Sequence, residues 1–174
     1  MTTFYLCLYY GIARWLPGSN TRMGKILRSK QLRYYCCKHI FKSIGKDVNI
    51  ERGAWFGRGQ EIEIGDYSGI GYNAHILYNT IIGDYVMIGR NLFMLESIHN
   101  HDRTDIPMML QGRKEKRDQV VIGNDVWIGN DVLFLGSRSI GNGCIISART
   151  VVVKSYPDYC IIGGNPSQLI KARK

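Results

Sequence analysis

"IGDYSGIGYNAHILYNTIIGDYVMIGRNLFM", residues 64–94, places a large apolar residue at every sixth position: Ile64, Ile70, Ile76, Ile82, Ile88 and Met94. A second run repeats the step from Ile122 through Ile128, Phe134, Ile140 and Ile146 to Val152. Glycine follows many of these anchors, as at Gly65, Gly71, Gly83, Gly89, Gly123, Gly129 and Gly141. Four residues after each anchor the side chain is mostly smaller, as at Ser68, Ala74, Thr80, Val126 and Thr150. A helix repeats at 3.6 residues and a plain strand at two, so neither keeps a six-residue step on one face. A chain that turns a corner every six residues does. Each hexapeptide then forms one side of a triangular coil with its anchor inward, and the glycine is expected to ease the bend. Three sides make a coil of about eighteen residues, and stacked coils make a parallel β-solenoid.

The stretches "IGDYSGIGYNAHI", "IIGDYVMIG" and "VIGNDVWIGNDV" resemble the hexapeptide-repeat acyltransferases, nearest to the sugar O-acetyltransferase branch that includes maltose, galactoside and capsular-polysaccharide acetyltransferases. The resemblance covers about residues 47–174. It implies a mainly β fold, a left-handed parallel β-helix with N-terminal helices and a protruding loop. It also implies acetyl-CoA as acyl donor, no metal, and a homotrimer with active sites between subunits.

Outside the rhythm, residues 1–46 hold nine of the chain's 23 bases and no acid, so the net charge of +9 resides there. Residues 4–16 and 21–45 read as two helices split by the turn signal "PGSN", a segment distinct from the 47–174 domain. Their bases, with His39, read as a solvated face. "FYLCLYYGIARWL" before a cationic helix also suits a peripheral contact with the inner leaflet of a membrane. No apolar run reaches the roughly 20 residues needed to cross a bilayer. No basic n-region precedes it, so a signal peptide is not expected. Nucleic acid is not an expected partner, for no reading motif is present. Five cysteines without a CxxC pair suit a reducing cytoplasm rather than a disulfide framework. The solenoid is expected to begin out of phase at Val48, with a corner insertion near residues 57–62, and to close on a cap at 163–174. Arg138 falls where a side chain should point inward, which requires a bend or a corner partner.

Between the two runs lies an excursion, 95–120, carrying "IHNHDRTDIPM". Loops of that length within a compact domain are usually functional or disordered. The resemblance puts a general-base histidine here, at His99, with His101 in reserve. A neutral imidazole can take the proton of a sugar hydroxyl as that oxygen attacks a thioester. Glu96 or Asp102 is expected to orient the imidazole. Asn73 and His75 are candidate acceptor contacts, though a turn role for Asn73 and simple exposure for His75 are the plainer alternatives. Trp127 is expected to line the acceptor or pantetheine groove, or to pack between coils. Gly129 and Ala148 offer backbone groups to the pantetheine, and Lys154, Lys171 and Arg173 offer charge to the cofactor phosphates. Arg149 stands in the same groove where relatives carry a small residue. Two other functions fit the same repeat. One is a non-catalytic scaffold or sugar-binding solenoid. The other is a zinc carbonic anhydrase of this class, which needs three histidines and would have to recruit His75 beside His99 and His101.

Overall fold

The computed structural model describes residues 2–95, 99–113 and 119–174. Three sheets form, and up to Cys160–Gly163 the strands, together with single bridges at Trp55, His75, Ile140 and Tyr156, pass from one sheet to the next in rotation. One sheet holds Ser43–Ile44, Glu63–Ile64, Thr80–Ile82 and Val120–Ile122. A second runs from Asn49–Ile50 through Gly69–Ile70, Met87–Ile88, Trp127–Ile128 and Ile145–Ile146 to Cys160–Gly163 and Gln168–Ala172. The third stacks Phe93–Leu95, Leu133–Leu135 and Val151–Val152, and single bridges extend it through His75 to Trp55. Pairing between coils is parallel, so the anchors stack on one another: Ile64 on Ile82 on Ile122, Ile88 on Ile128 on Ile146, Met94 on Phe134 on Val152. All of them are buried, as are the smaller residues four places on.

The bends are not made by the glycines after the anchors. The left-handed conformation falls two residues later, at Tyr67, Tyr85 and Asp125 on one corner and at Asn73, Asn91, Asp131 and Arg149 on another. The glycines are small for a different reason. A Cβ on Gly83 would lie 2.4 Å from Asn124 Oδ1, and one on Gly65 2.2 Å from Asp84 Oδ1. Those oxygens belong to a ladder that climbs one corner of the solenoid. Asp66 N–H donates to Asp84 Oδ1, Asp84 N–H to Asn124 Oδ1, Asn124 N–H to Asn142 Oδ1, and Asn142 N–H to Asp158 Oδ1. A corner amide cannot join a strand ladder, so the neighbouring coil's side chain satisfies it instead, and only a glycine leaves room.

Irregularities fall at corners. Phe56 and Ile64 are separated by eight residues instead of six, so Asn49 pairs with Gly69, twenty residues on; this is the insertion expected near 57–62. Ile82 pairs with Ile122 across the long excursion without loss of register. Both ends of that excursion prove to be strand, since Leu95 pairs with Leu135 and Thr80 with Val120. The last coil is shorter, with Ile145 on Ile161. Arg138 is half-buried at a corner, its Nε donating to the Leu135 carbonyl.

The solenoid begins earlier than expected, for Ser43–Ile44 already pairs with Glu63–Ile64. The helical segment also differs from the reading of two helices. α1 is Thr2–Gly11, followed by a 3-10 turn at Ala13–Trp15. The expected second helix is two, α2 (Arg22–Ile26) and α3 (Ser29–Lys38), with Arg28 left-handed between them (φ 49°). Tyr9, Cys36, Cys37, Ile40 and Phe41 cover Val48, Ile50 and Phe56 of the first coil. Tyr9 stands 4.6 Å and Phe41 4.7 Å from Phe56, ring to ring. At the other end Gln168–Ala172 turns back antiparallel along Cys160–Gly163.

Arg33 departs from the solvated face expected of the basic segment. It is fully buried. Its guanidinium donates to the carbonyls of Ile50, Leu16 and Pro17 and to Ser19 Oγ, with Glu51 Oε2 at 3.7 Å. Burial pushes the Glu51 carboxyl up, but Ser19, Asn49 and the Arg33 charge together hold it below the ordinary carboxylate value. Arg33 thereby ties α3, the 12–20 turn and the first coil into one polar knot. Removing one member of such a buried pair costs about 3–5 kcal/mol, since the other is left uncompensated. Arg33→Met is therefore expected to lower the urea midpoint by that much stability, whereas Lys38→Met on the exposed side of α3 should leave it nearly unchanged.

Candidate functional site

In each hexapeptide the residue before the anchor points outward, because side chains alternate along a strand. On the third sheet these residues are Trp55, His75, Phe93, Leu133 and Val151. The His75 imidazole is sandwiched between the Trp55 indole at 4.1 Å and the Phe93 ring at 4.4 Å, both nearly parallel to it. It is half-buried there instead of simply exposed, and its Nδ1 is enclosed without a hydrogen-bond partner. Burial pulls its pKa below the usual histidine value, and the Arg14 charge adds to that. The imidazole thus lies inside an aromatic stack with an enclosed, unpartnered Nδ1. The sequence carried a signal for Trp55 and Phe93, the position before each anchor, but the insertion at 57–62 hid the alignment of Trp55 with His75.

Asn73 stands on the corner that leads into this sheet, left-handed and exposed, its Nδ2 donating to Asn91 Oδ1 at 3.4 Å. Gly129, Ala148 and Arg149 share that corner. Arg149 is left-handed, exposed, and donates its N–H to the Asn130 carbonyl. Gly129 N–H is committed to the Ile146 carbonyl, so an amide contact from Gly129 falls to its carbonyl. A Cβ there would lie 2.5 Å from Ala148 N, which keeps the two backbones close. Trp127 is exposed on the second sheet, between Met87 and Ile145, so it lies along the sheet face rather than between coils. Corner residues 73, 129 and 148 are therefore flanked by His75 on one sheet and Trp127 on the other.

The excursion leaves the solenoid after the Phe93–Leu95 strand. Among its described residues, His99 bridges antiparallel to Arg113, and Asn100 donates its N–H to the Gly112 carbonyl. Gln111 ties the far end together, accepting from Arg103 N–H and donating to the carbonyls of Arg103 and Ile106. His99 is thus held on a short two-stranded arm with its side chain exposed. His101 is exposed too, with Nδ1 3.6 Å from the Asp102 carboxylate. Glu96 lies outside the described residues. The arm ends in Met108, Met109 and Leu110, all exposed; Met109 is 87% so.

The expected phosphate contacts divide. Lys154 is exposed beside the Tyr156 ring, and Lys171 is exposed on the closing strand. Arg173 is occupied: its Nη1 donates to Asp125 Oδ2 and to the Gly143 carbonyl, both at 2.9 Å, pinning the C-terminal strand to a corner. No three His, Cys, Asp or Glu side chains converge as metal ligands among the described residues.

His75 has a testable consequence. Its folded-state pKa is depressed, so between that value and the ordinary one near 6.5 the unfolded chain binds more protons. Stability is then full above about pH 7 and lost as pH falls through the folded value. His75→Phe, which keeps the stack, is expected to flatten this loss: similar melting temperatures at pH 8 and a higher one than the parent at pH 5.

Residues 119–154 match the family model described as "Bacterial transferase hexapeptide (six repeats)". The chain is 30% identical over 139 residues to a galactoside O-acetyltransferase of Escherichia coli K12, covering 77% of this chain and 65% of that protein. It is 44% identical over 59 residues to a chloramphenicol acetyltransferase of Klebsiella aerogenes, covering 34% and 28%. A maltose O-acetyltransferase structure from Clostridium difficile 630 superposes with a TM-score of 0.70 at 28% identity, covering 83% of this chain and 76% of that one. The chain thus spans less than two thirds of the length of these first two relatives. Over residues 119–154 the chain is thus similar to the hexapeptide-repeat bacterial transferases, and its stacked six-residue turns agree with that likeness.

Proposed function

We propose that this chain is an acetyl-CoA-dependent O-acetyltransferase that acetylates a hydroxyl of a sugar or polysaccharide precursor. The observation that carries the reading is the histidine-bearing arm, inserted between two stacked coils whose register it leaves untouched. The galactoside and maltose O-acetyltransferases to which the chain is similar support the acceptor class. The same likeness supports a left-handed coil. In this reading the solenoid is the frame and residues 99–113 bring the base to it.

Acetyl-CoA would supply the acetyl group as an activated thioester. The residues that would hold it are the Gly129 carbonyl and Ala148 backbone along the corner, Trp127 beside them, and Lys154 and Lys171 for its phosphates. Arg173 contributes by fixing the strand that carries Lys171. His99 takes the acceptor hydroxyl's proton on its imidazole as the oxygen attacks, then returns that proton to the departing thiolate sulfur. Asn73 hydrogen-bonds the acceptor, and the His75 ring lies beside it. The Trp55–His75–Phe93 face offers the apolar surface on which a sugar ring rests.

The apolar tip Met108–Leu110 on a projecting arm supports assembly, since such side chains need a covering surface. We assign them to a neighbouring subunit of a cytoplasmic homotrimer, so that one protomer's His99 faces another's sheet. Light scattering is expected to give three times the chain's mass, and Met109→Asp to shift it toward the monomer.

The direct assay follows thiol release from acetyl-CoA with a panel of sugars. Hydroxylated antibiotics belong in the panel because of the 44% identity to a chloramphenicol acetyltransferase. His99→Ala is expected to lower turnover by about 10²–10⁴-fold with a small change in KM, and His101→Ala by much less. Transfer that survives His99→Ala intact would remove the base assignment.

A further inference from the structure

We propose that α2 and its flanks form a docking surface for an anionic lipid bilayer, a role that holds whether or not the solenoid transfers acyl groups. The starting point is the break between α2 and α3. The buried side of α3 is Ser29, Arg33, Cys36 and Cys37. Extended back at helical spacing, that line runs through Ile26 and Arg22. An unbroken helix would therefore bury Ile26 over the first coil. Arg28 prevents this by taking a left-handed conformation, one that L-residues other than Gly, Asn and Asp rarely adopt. The consequence is that Met23, Ile26 and Leu27, spaced three and four apart on one face, are exposed by 53, 64 and 46%.

This turn is held firmly. Thr21 caps it, its Oγ1 accepting from Gly24 N–H and donating to the Gly18 carbonyl. Gly24 is the buried residue of α2, and a Cβ there would lie 2.0 Å from Gly18 O. The helix is thus pressed against the 17–21 turn by its glycine side, and its apolar side is turned away from the protein.

Charge identifies the occupant. Arg22, Lys25 and Arg28 flank the three apolar side chains, are exposed, and have no ion-pair partner among the described residues. Residues 1–46 contain no acid to repel an anionic surface. Phe4, Ile12 and Trp15 are exposed on the preceding helical segments. Apolar side chains that dip to the headgroup boundary, ringed by long cationic stems that reach the phosphates, are what an anionic bilayer accepts. The many cations supply long-range attraction that a single shallow turn lacks.

The test is co-sedimentation of the full chain with phosphatidylcholine vesicles, with and without about 30% phosphatidylglycerol. The chain is expected to sediment with the anionic vesicles at about 0.1 M NaCl and to be released at about 0.5 M, where charge is screened. Met23→Ser/Ile26→Ser/Leu27→Ser and Arg22→Gln/Lys25→Gln should each weaken binding by about tenfold or more, with the parent's melting temperature and oligomeric state. Sedimentation no greater with anionic than with neutral vesicles would overturn the proposal. So would anionic binding that the triple serine variant retains. A triple variant that dissociates the oligomer, from a parent that ignores vesicles, would assign the face to a second copy of the chain instead.

Discussion

Each coil must present its backbone to the next in fixed register, and the rest of the structure depends on that. A solenoid strand of two or three residues has little pairing of its own. Its N–H and C=O groups are satisfied only when the coils above and below align, anchor on anchor. The corners obey the same demand by other means. The Asp and Asn side chains from 66 to 158 accept the corner amides that strands cannot reach, and glycine beside them is a matter of clearance, not of backbone freedom. This is why extra residues appear where they do. The two-residue insertion before Ile64 and the excursion before Ile122 both leave at a corner, because an insertion within a side would break the stacking of every coil beyond it.

A stack of this kind has two raw ends, and the chain closes them differently. The C-terminal edge is finished by an antiparallel strand and the Arg173–Asp125 pair. The N-terminal end exposes apolar anchors rather than a strand edge alone, so helices cover it with Tyr9, Phe41 and the paired cysteines. The cover is located by one buried cation. Arg33 gathers carbonyls that the 12–20 turn and first coil would otherwise leave unpaired, and Glu51 offsets its charge. The desolvation of such a pair consumes much of what its bonds return, so the cost of losing Arg33 lies mainly in the uncompensated Glu51 left behind. Fixing the helices this way also fixes which of their side chains remain outside.

The outward residues are free of the core's constraints, and the candidate site is built from them. On one sheet they become the Trp55–His75–Phe93 stack; on another, Met87 and Trp127. The described part of the excursion, organised by hydrogen bonds through Gln111, leaves His99 exposed and carries an apolar tip.

The sequence by itself determined the coil. A six-step of apolar residues fits a chain that turns a corner every six residues, without fixing its hand, so the inward columns, the insertion near 57–62 and the long excursion were legible residue by residue. The resemblance to a known family, not the six-step, put the general base at His99 with His101 in reserve. Tertiary structure decided what depends on contacts between coils distant in sequence. The repeat glycines proved to be cleared for a neighbour's side chain, which no local pattern states. His75, read as an acceptor contact or simply exposed, became the middle of an aromatic stack because Trp55 and Phe93 lie one coil away on either side. Arg33, read as part of a solvated face, and Arg173, read as a contact to the cofactor phosphates, were taken up by carbonyls and carboxylates the fold brought to them. A charge is legible in a sequence; its partners are not, because they are set by packing across the stack.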